Sequence, residues 1–227
     1  MKAMILAAGR GERMRPLTDT QPKPLLAVAG KPLIEYHIEA LASAGVRDLV
    51  INHAWLGQLL VDYLGAGQAY GVDIHYSAEG EEGLETAGGI KKALPLLGDD
   101  PFIVINGDVF SDFPYASLAT KLKPGILAHL VLVPNPLQHL YGDFGLNAEG
   151  YALSDAEIRY TFSGIAIYHP DFFLDVEPGK QKLAPYLRRS MQQMRVTAEL
   201  YHGVWHDIGT PERLAQLSAE LEAADVG

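Results

Sequence analysis

Hydrophobic and polar residues follow two different periods along the first half of the chain. Four short segments are continuously apolar or alternate every second residue, as strands do: 2–7, 49–51, 72–76 and 102–105. Three stretches between them repeat apolar residues at helical spacing: 32–42, 56–64 and 87–97. Strand and helix therefore alternate from the start, which predicts parallel βαβ units and an α/β fold.

The pattern changes after Pro124, where extended segments predominate. Further strands are expected at 126–133, 142–147, 160–168 and 196–201. Two more helices are predicted at 183–194 and 211–224, the second with Thr210 as its N-cap. Because the sequence shows no repeat and no linker, we predict one domain over residues 1–227. Its central sheet should be mixed but mostly parallel and flanked by helices, with a β-rich second half.

Composition and charge exclude several classes of protein. The net charge is −10, which argues against a general nucleic-acid binder because such proteins present a basic face. The chain has no cysteine, which excludes disulfides, thiolate catalysis and zinc–thiolate sites. No stretch approaches 18 consecutive apolar residues, and the first apolar run is too short for a signal peptide. We expect a cytoplasmic monomer or small homo-oligomer with no nucleic-acid or membrane partner.

The first 25 residues reverse the overall charge balance. They hold five basic residues against two acidic ones. In the loop after the first strand, Gly9 and Gly11 remove side chains where the backbone must approach a ligand or take a positive φ. Backbone N–H groups there, together with Arg10, Arg13 and Arg15, suit a polyphosphate. A G-x-G pair alone is also the pattern of a tight turn. The third glycine of the dinucleotide fingerprint is missing, and so is the P-loop string.

A further basic group follows in Pro22-Lys23-Pro24. The two prolines restrict φ and bias the residues before them towards extended backbone, so Lys23 projects from a stiff segment. This second cationic arm favours the phosphate-loop interpretation of the N-terminal segment over a simple turn.

The fourth predicted strand ends in Asn106-Gly107-Asp108. In open α/β sheets, ligands bind outside the carboxyl ends of the strands, so Asp108 is placed where a site is expected. A carboxylate beside a polyphosphate requires a divalent metal that bridges carboxylate and phosphate oxygens. The alternative is a turn at Asn106-Gly107 that Asp108 caps. Together with the N-terminal loop, the pattern favours the metal site.

The strings L-A-A-G-x-G-x-R-M-x-P-L-T (residues 6–18), P-K-P-L-L (22–26) and G-K-P-L-I (30–34) resemble those of the sugar-phosphate nucleotidylyltransferases. The resemblance covers nearly the whole chain. It implies a Rossmann-like nucleotidyltransferase domain that joins a sugar 1-phosphate to a nucleoside triphosphate and releases pyrophosphate, with Mg²⁺ as cofactor. Residues 1–110 would form the nucleotide-binding half, and 111–227 the sugar-binding half with the second metal ligand.

The resemblance also implies roles for individual residues. The nucleotide would contact Ala8, Gly9, Gly11, Glu12, Arg13, Lys23, Thr86 and Gly88. Arg13 and Lys23 would hold the triphosphate and carry catalysis. Glu12 stands where many members have Thr or Ser, which removes a hydroxyl contact to phosphate. Thr86 also fits the N-cap of the third helix.

The second metal carboxylate and the sugar contacts come from the second half of the chain. Asp207 stands in the family pattern W-x-D-x-G-T-P and would bind Mg²⁺ with Asp108, although it could instead cap the last helix. The E-K-P string that often holds the sugar in relatives is missing. We therefore expect Asn106, Asp143 and Glu157 to contact the sugar, with the alternative that the two acids are ordinary exposed residues.

Within this family the chain most resembles the uridylyltransferases that use UTP and N-acetylmuramate α-1-phosphate in cell-wall recycling. Mannose-1-phosphate guanylyltransferases and glucose-1-phosphate thymidylyl- or uridylyltransferases are the nearest alternatives. A catalytically silent nucleotide-sugar sensor is the alternative from another class, although a sensor would not need the two metal carboxylates. Direct in-line transfer is expected, because no nucleophile elbow for covalent catalysis is present.

Overall fold

The computed structural model describes residues 1–81 and 83–225. The strands in this part of the chain are β1 (Lys2–Leu6), β2 (Ala27–Val28), β3 (Lys31–Pro32), β4 (Asp48–His53), β5 (Asp73–Ala78), β6 (Phe102–Asn106), β7 (Val109–Ser111), β8 (Ala128–Val133), β9 (Gly145–Leu146), β10 (Ala152–Leu153), β11 (Thr161–Tyr168), β12 (Val196–Leu200) and β13 (Trp205–Asp207). The α-helices are α1 (Leu33–Ser43), α2 (Gly57–Leu64), α3 (Glu85–Leu97), α4 (Leu183–Gln192) and α5 (Pro211–Asp225).

Seven strands form one sheet in the order β12-β8-β11-β6-β1-β4-β5. The pairs from β6 through β1 and β4 to β5 are parallel, and β12 is parallel to β8. Only β11 runs against its two neighbours in this sheet. The mixed, mostly parallel sheet with a more β-rich second half confirms the predicted α/β fold.

Each face of the sheet is covered by a separate apolar core. In β1 the buried Ile5 belongs to the core under α1 and α2, whereas its neighbour Met4 belongs to the core under α3 and α4. This split follows from the alternation of side chains along a strand, and it explains why β1 and β6 are apolar along most of their length. These central strands are therefore buried between two helical layers, whereas the edge strand β5 is exposed at Asp73, His75 and Ala78.

A third, smaller core joins the two ends of the chain. It packs α5 and the residue after β13 against the N-terminal segment, and its buried members are Met14, Leu26, Val28, Leu33, Ile208 and Leu217. The Ala29 N–H also donates to Ser218 Oγ at 3.2 Å. His206 Nε2 lies 3.2 Å from Glu220 Oε2, which ties β13 to α5. These contacts bring the last helix to the N-terminal loop.

Several local features differ from the sequence predictions. The short pair formed by β7 and β13 was not predicted, because three residues are too few for a periodic signal. Helix α3 begins at Glu85, so Thr86 lies in its first turn and the proposed N-cap at Thr86 is wrong. The N-cap at Thr210 is confirmed by its Oγ1, which accepts from the Arg213 N–H at 3.4 Å. No helix within the described ranges has the length and apolar character needed to cross a bilayer.

Candidate active site

Two adjoining clefts open at the edge where the parallel strands end. The first has a volume of about 460 Å³ and lies between the N-terminal loop and the segment 83–86. The second has a volume of about 310 Å³ and lies between the segment 136–139 and β13. Both clefts are lined by Arg13, Asn106 and Asp108. These three residues therefore mark the junction at which two bound molecules would meet.

The two glycines of the N-terminal loop serve different purposes. Gly11 has φ +69°, and a Cβ there would lie 2.9 Å from Thr18 Cγ2. The same turn is closed by Thr18 Oγ1, which donates to the Gly11 carbonyl at 2.9 Å. Gly9 lines the first cleft, and a Cβ added to it would meet nothing within 4 Å. Gly11 is therefore required by the fold, whereas the space beside Gly9 remains open to a ligand.

The loop presents backbone donors on a fixed frame. Within the described ranges, the N–H groups of Gly9, Arg10 and Gly11 donate to no protein acceptor. The Arg10 guanidinium lies 3.9 Å from the centre of the Trp55 ring and donates to the Thr18 carbonyl at 2.9 Å. Arg10 thus holds the loop in shape, and the unpaired N–H groups form a concavity of the kind that binds phosphate.

Arg13 is the cation best placed to meet an anion at the junction. It is exposed and forms no ion pair or hydrogen bond with the part of the chain that the structure describes. A Cβ at Gly209 would lie 3.2 Å from Arg13 Nη2 and 2.6 Å from Arg213 Nη2. The two guanidinium groups therefore converge on Gly209, where only a glycine leaves them room.

Lys23 contacts the junction through Asp108. It is 7 % exposed, and its Nζ lies 2.7 Å from Asp108 Oδ2. Pro22 and Pro24 flank it in a single 3₁₀ turn, as the stiff segment predicted. Lys23 is buried to its tip, so its ammonium is directed at one carboxylate oxygen.

The two predicted metal carboxylates lie beside each other where β7 pairs with β13. Asp108 is in the turn between β6 and β7, and Asp207 ends β13 opposite Val109 in the antiparallel pair. The Asp108 carbonyl also accepts from the Ile208 N–H at 2.9 Å. Asp207 does not cap α5, because its carboxylate pairs with Arg213 on the first turn of that helix. Asp108 and Asp207 both line the second cleft.

This donor set fits a hard divalent cation. The side chains of Asp108 and Asp207 are 40 % and 27 % exposed, so both carboxylates are accessible from the cleft. Each carboxylate forms an ion pair with one basic side chain, Lys23 or Arg213, so a bound cation would share the carboxylates with these groups. Mg²⁺ takes one or two carboxylates and completes its shell with water and phosphate oxygens. Within residues 1–81 and 83–225, no cluster of three or more His, Cys, Asp or Glu side chains could hold a metal.

A buried histidine lies behind the turn that carries Asp108. Burial lowers the pKa of His37 to about 4, although the nearby Val109 backbone and the Asp108 charge act in the opposite direction. The ring is therefore neutral at pH 7. It fills space under the turn without changing the charge of the site.

The far wall of the first cleft depends on two polar residues that the sequence predictions missed. Asn52 Oδ1 accepts from the Ala7 N–H at 2.8 Å, and Asn52 Nδ2 donates to Glu79 Oε1 at 2.6 Å. The other Glu79 oxygen accepts from the Leu84 N–H at 2.7 Å. Both residues stand at the carboxyl ends of parallel strands, which was the available signal. They connect the start of the N-terminal loop to the segment 83–86.

The structure separates the two residues predicted to contact the base and ribose. Thr86 lines the first cleft together with Ala8 and Glu12. Gly88 is not among the residues that line this cleft, and its predicted contact with the nucleotide stays a prediction. A Cβ at Gly88 would lie 2.0 Å from the Gly179 carbonyl oxygen, so this glycine allows α3 to pack closely against the segment 179–181.

The sugar-side predictions are also divided. Asn106 lines both clefts and is seated against Gly164, where a Cβ would lie 2.6 Å from Asn106 Nδ2. Asp143 lines neither cleft, because its carboxylate accepts from the Phe162 N–H at 2.8 Å and lies 3.1 Å from His139 Nε2. Glu157 is exposed and also lies outside both clefts. The second cleft is instead lined by Gln138, His139, Thr161, Phe162, Ser163 and Trp205.

Two known proteins are similar in sequence to nearly the whole chain. The chain is 53 % identical to the N-acetylmuramate alpha-1-phosphate uridylyltransferase of Neisseria meningitidis serogroup B, over 96 % of this chain and 97 % of the relative. It is 35 % identical to the protein of the same name from Caulobacter vibrioides, over 98 % and 97 % of the two chains.

A structural comparison supports the fold. A crystal structure of a Bacillus anthracis protein, assigned as a glucose-1-phosphate thymidylyltransferase and bound to sucrose, superposes with a TM-score of 0.84. The superposition covers 97 % of this chain and 94 % of that one, at 24 % sequence identity. A sequence profile described as Nucleotidyl transferase matches residues 2–224. The chain therefore belongs to the nucleotidyl transferase family.

Proposed function

We propose that this chain joins UTP to N-acetylmuramate α-1-phosphate, forming UDP-N-acetylmuramate and pyrophosphate in cytoplasmic cell-wall recycling. The observation that carries the proposal is the junction of two clefts at Arg13, Asn106 and Asp108. Two substrates bound in these clefts would meet at a free guanidinium and a carboxylate. The choice of UTP and N-acetylmuramate 1-phosphate follows the names of the two relatives with the highest identity above.

Each half of the chain would bind one of the two substrates. Residues 1–110 would bind the nucleotide, with the open space beside Gly9 and the unpaired N–H groups of the loop receiving the triphosphate. Ala8, Glu12 and Thr86 line the same cleft and would contact the rest of the nucleotide. Residues 111–227 would bind the sugar and supply Asp207.

The transfer is a single displacement. A phosphate oxygen of the sugar 1-phosphate attacks the α-phosphorus of UTP and forms the new P–O bond. The bond from the α-phosphorus to the bridging oxygen breaks, and pyrophosphate leaves with the electron pair. No general base is needed, because a phosphate monoester is already largely ionised near neutral pH. Catalysis is then positioning and charge stabilisation by the chain.

The basic side chains at the junction would stabilise the negative charge of the reacting phosphates. Arg13 is unpaired in the described chain, so it can bind phosphate without first breaking an ion pair. Lys23 is held at Asp108 and would contact the phosphates at the reacting centre. Asp108 and Asp207 would hold Mg²⁺, which when bound supplies neutralisation of phosphate charge and alignment of the two phosphates.

The test is pyrophosphate release across a matrix of nucleoside triphosphates and sugar 1-phosphates, with Mg²⁺ and with EDTA. We expect the highest kcat/KM for UTP with N-acetylmuramate 1-phosphate, and no release in EDTA. A clear preference for GTP with mannose 1-phosphate would overturn the choice of substrates. Full activity in EDTA would overturn the metal site at Asp108 and Asp207.

A further inference from the structure

The second cleft has a rim that is separate from the phosphate junction. Residues 135–143, the rim loop, follow β8, whereas the phosphate-binding loop follows β1 on the other side of β6 and β11 in the sheet order. Gln138 and His139 of the rim loop line the cleft. Their neighbours Leu137 and Leu140 are 91 % and 64 % exposed. The rim loop thus turns Gln138 and His139 towards the cleft beside Pro136 and leaves both leucines outside.

The rim loop is held in place at several points despite its exposure. Asn135 Nδ2 donates to the carbonyls of Leu140 at 3.1 Å and Arg159 at 2.9 Å. Asn135 Oδ1 accepts from Thr161 Oγ1 at 2.9 Å. Gly142 has φ +61°, and a Cβ there would lie 2.7 Å from the Arg159 backbone. The chain therefore builds a fixed rim, which preserves the orientation of the side chains that face the cleft.

Asp143 connects the fixed rim loop to a side chain that lines the cleft. One of its oxygens accepts from the Phe162 N–H at 2.8 Å, and the other lies 3.1 Å from His139 Nε2. A carboxylate can only accept, so His139 Nε2 carries a proton and the ring is oriented by Asp143. Within the described ranges, the second ring nitrogen, Nδ1, has no hydrogen-bond partner and is available to a group in the cleft. Asp143 is therefore a positioning residue that acts through His139.

We infer that His139, oriented by Asp143, selects sugar 1-phosphates that carry a carboxylate substituent, as the lactyl ether of N-acetylmuramate does. This inference rests on the proposed function. A carboxylate of the sugar at Nδ1 would lie across the imidazole ring from Asp143, so that each ring nitrogen would donate to one carboxylate. Arg13 and Arg213 lie at the junction with the metal carboxylates, whereas His139 belongs to the rim loop itself, which contains no Lys or Arg.

The test compares N-acetylmuramate 1-phosphate with N-acetylglucosamine 1-phosphate, which lacks only the lactyl group. For the His139→Ala variant we expect KM for the muramyl substrate to rise about tenfold or more, with kcat changed by less than about threefold. The glucosamine substrate, used as a substrate or as a competitive inhibitor, should bind the variant as it binds the wild type. Asp143→Asn should also raise KM for the muramyl substrate selectively, but by a smaller factor.

Two further variants separate recognition from folding. Leu137→Ala lies on the same loop but outside the cleft, so both sugars should be used as by the wild type. His139→Gln keeps a donor without the charge and should recover part of the muramyl selectivity. Equal losses for both sugars, or unchanged selectivity in His139→Ala, would overturn the inference while leaving the proposed function intact. A wild-type enzyme that does not use the muramyl substrate would instead overturn the proposed function.

Discussion

Arg13 is exposed yet has no protein partner in the described ranges, which is unusual for a cation beside two carboxylates. We predict that Arg13→Ala lowers kcat/KM by about 100-fold or more, because one charged donor to the reacting phosphates is lost. The free energy of unfolding should change by less than about 0.5 kcal/mol, since the substitution removes no ion pair or hydrogen bond within the described ranges. Steady-state kinetics and urea unfolding of the same preparation measure both quantities.

Arg15 provides the matched control on the same loop. It pairs with Glu12 at 3.3 Å and Asp19 at 3.2 Å, and it lines neither cleft. Exposed ion pairs of this kind contribute little to stability, so Arg15→Ala should alter kcat/KM by no more than about twofold. If the two substitutions reduced activity equally, the special position of Arg13 would be disproved.

The two loop glycines give opposite predictions. Gly11→Ala should lower the free energy of unfolding by about 1–2 kcal/mol, because an L-residue is strained at φ +69°. Gly9→Ala should leave stability nearly unchanged, because no atom lies within 4 Å of the added methyl group. It should nevertheless raise KM for the nucleotide, since the methyl group enters the first cleft. Urea unfolding measures the stability of both variants, and steady-state kinetics measures their KM for the nucleotide. A Gly11→Ala protein as stable as the wild type would contradict the loop geometry.

Residue chemistry was predictable where one side chain and its neighbours in sequence define the role. Lys23 between two prolines and Asp108 after an apolar strand are of this kind, and the structure brings both to the junction. The contacts of Asp143 could not be predicted, because the N–H that donates to its carboxylate belongs to Phe162, 19 residues later. The close packing of Gly88 against Gly179 also joins segments that are distant in sequence.

At the scale of elements, Glu79 connects the end of β4 to the start of α3. It is buried and accepts from Asn52 and from the Leu84 N–H. Glu79→Gln leaves one oxygen for these two donors, so we predict a loss of about 1–3 kcal/mol in the free energy of unfolding. KM for the nucleotide should also rise, because the segment 83–86 forms the cleft wall. Glu81→Gln, exposed and two residues away, is the control and should be neutral.

The edge pair of β8 and β12 predicts a dependence of stability on pH. A hydrogen bond from His129, supported by Lys121, lowers the pKa of Glu199 from 4.5 to about 2 despite partial burial. Between these two values the unfolded chain binds a proton that the folded chain does not, so stability falls as the pH falls. The contribution is complete above about pH 4.5 and lost near pH 2.

Glu199→Gln removes this ionisation and isolates its effect. We expect the difference in the free energy of unfolding between wild type and variant to be constant near neutral pH and to narrow from about pH 4.5 towards pH 2. Urea unfolding at a series of pH values measures it. A difference that stays constant over the whole acidic range would contradict the role of the His129 and Lys121 contacts.

Long periodic elements were predictable from sequence, whereas short ones were not. The helices and the central strands match their predicted positions to within a few residues. A strand that is buried on both faces has a continuous apolar run, which is easily recognised in the sequence. The strands β7 and β13 have three residues each, and Phe110 of β7 packs against the third core, which also contains residues of α5 and the N-terminal segment. The irregularity between Phe162 and Ile165 in β11 also depends on neighbouring strands and gives no sequence signal.

The whole molecule concentrates its chemistry at one edge of the sheet. The adjacent parallel strands β6, β1, β4 and β5 all end there, and the antiparallel β11 begins there, so loops that are distant in sequence share one surface. The small third core then brings the last helix against the first loop. As a result, a chain with net charge −10 gathers Arg13, Lys23 and Arg213 around two carboxylates. This gathering of charge suits two phosphorylated substrates.

Direct transfer between the two clefts is the central claim, and it is tested by following UTP and labelled pyrophosphate with and without the sugar 1-phosphate. We predict pyrophosphate release only when both substrates and Mg²⁺ are present, in equal amount to the nucleotide sugar formed. Without the sugar there should be no exchange of label into UTP. Exchange with UTP alone would reveal a covalent uridylyl-enzyme and contradict direct transfer, whereas binding of both substrates without any release would identify a sensor.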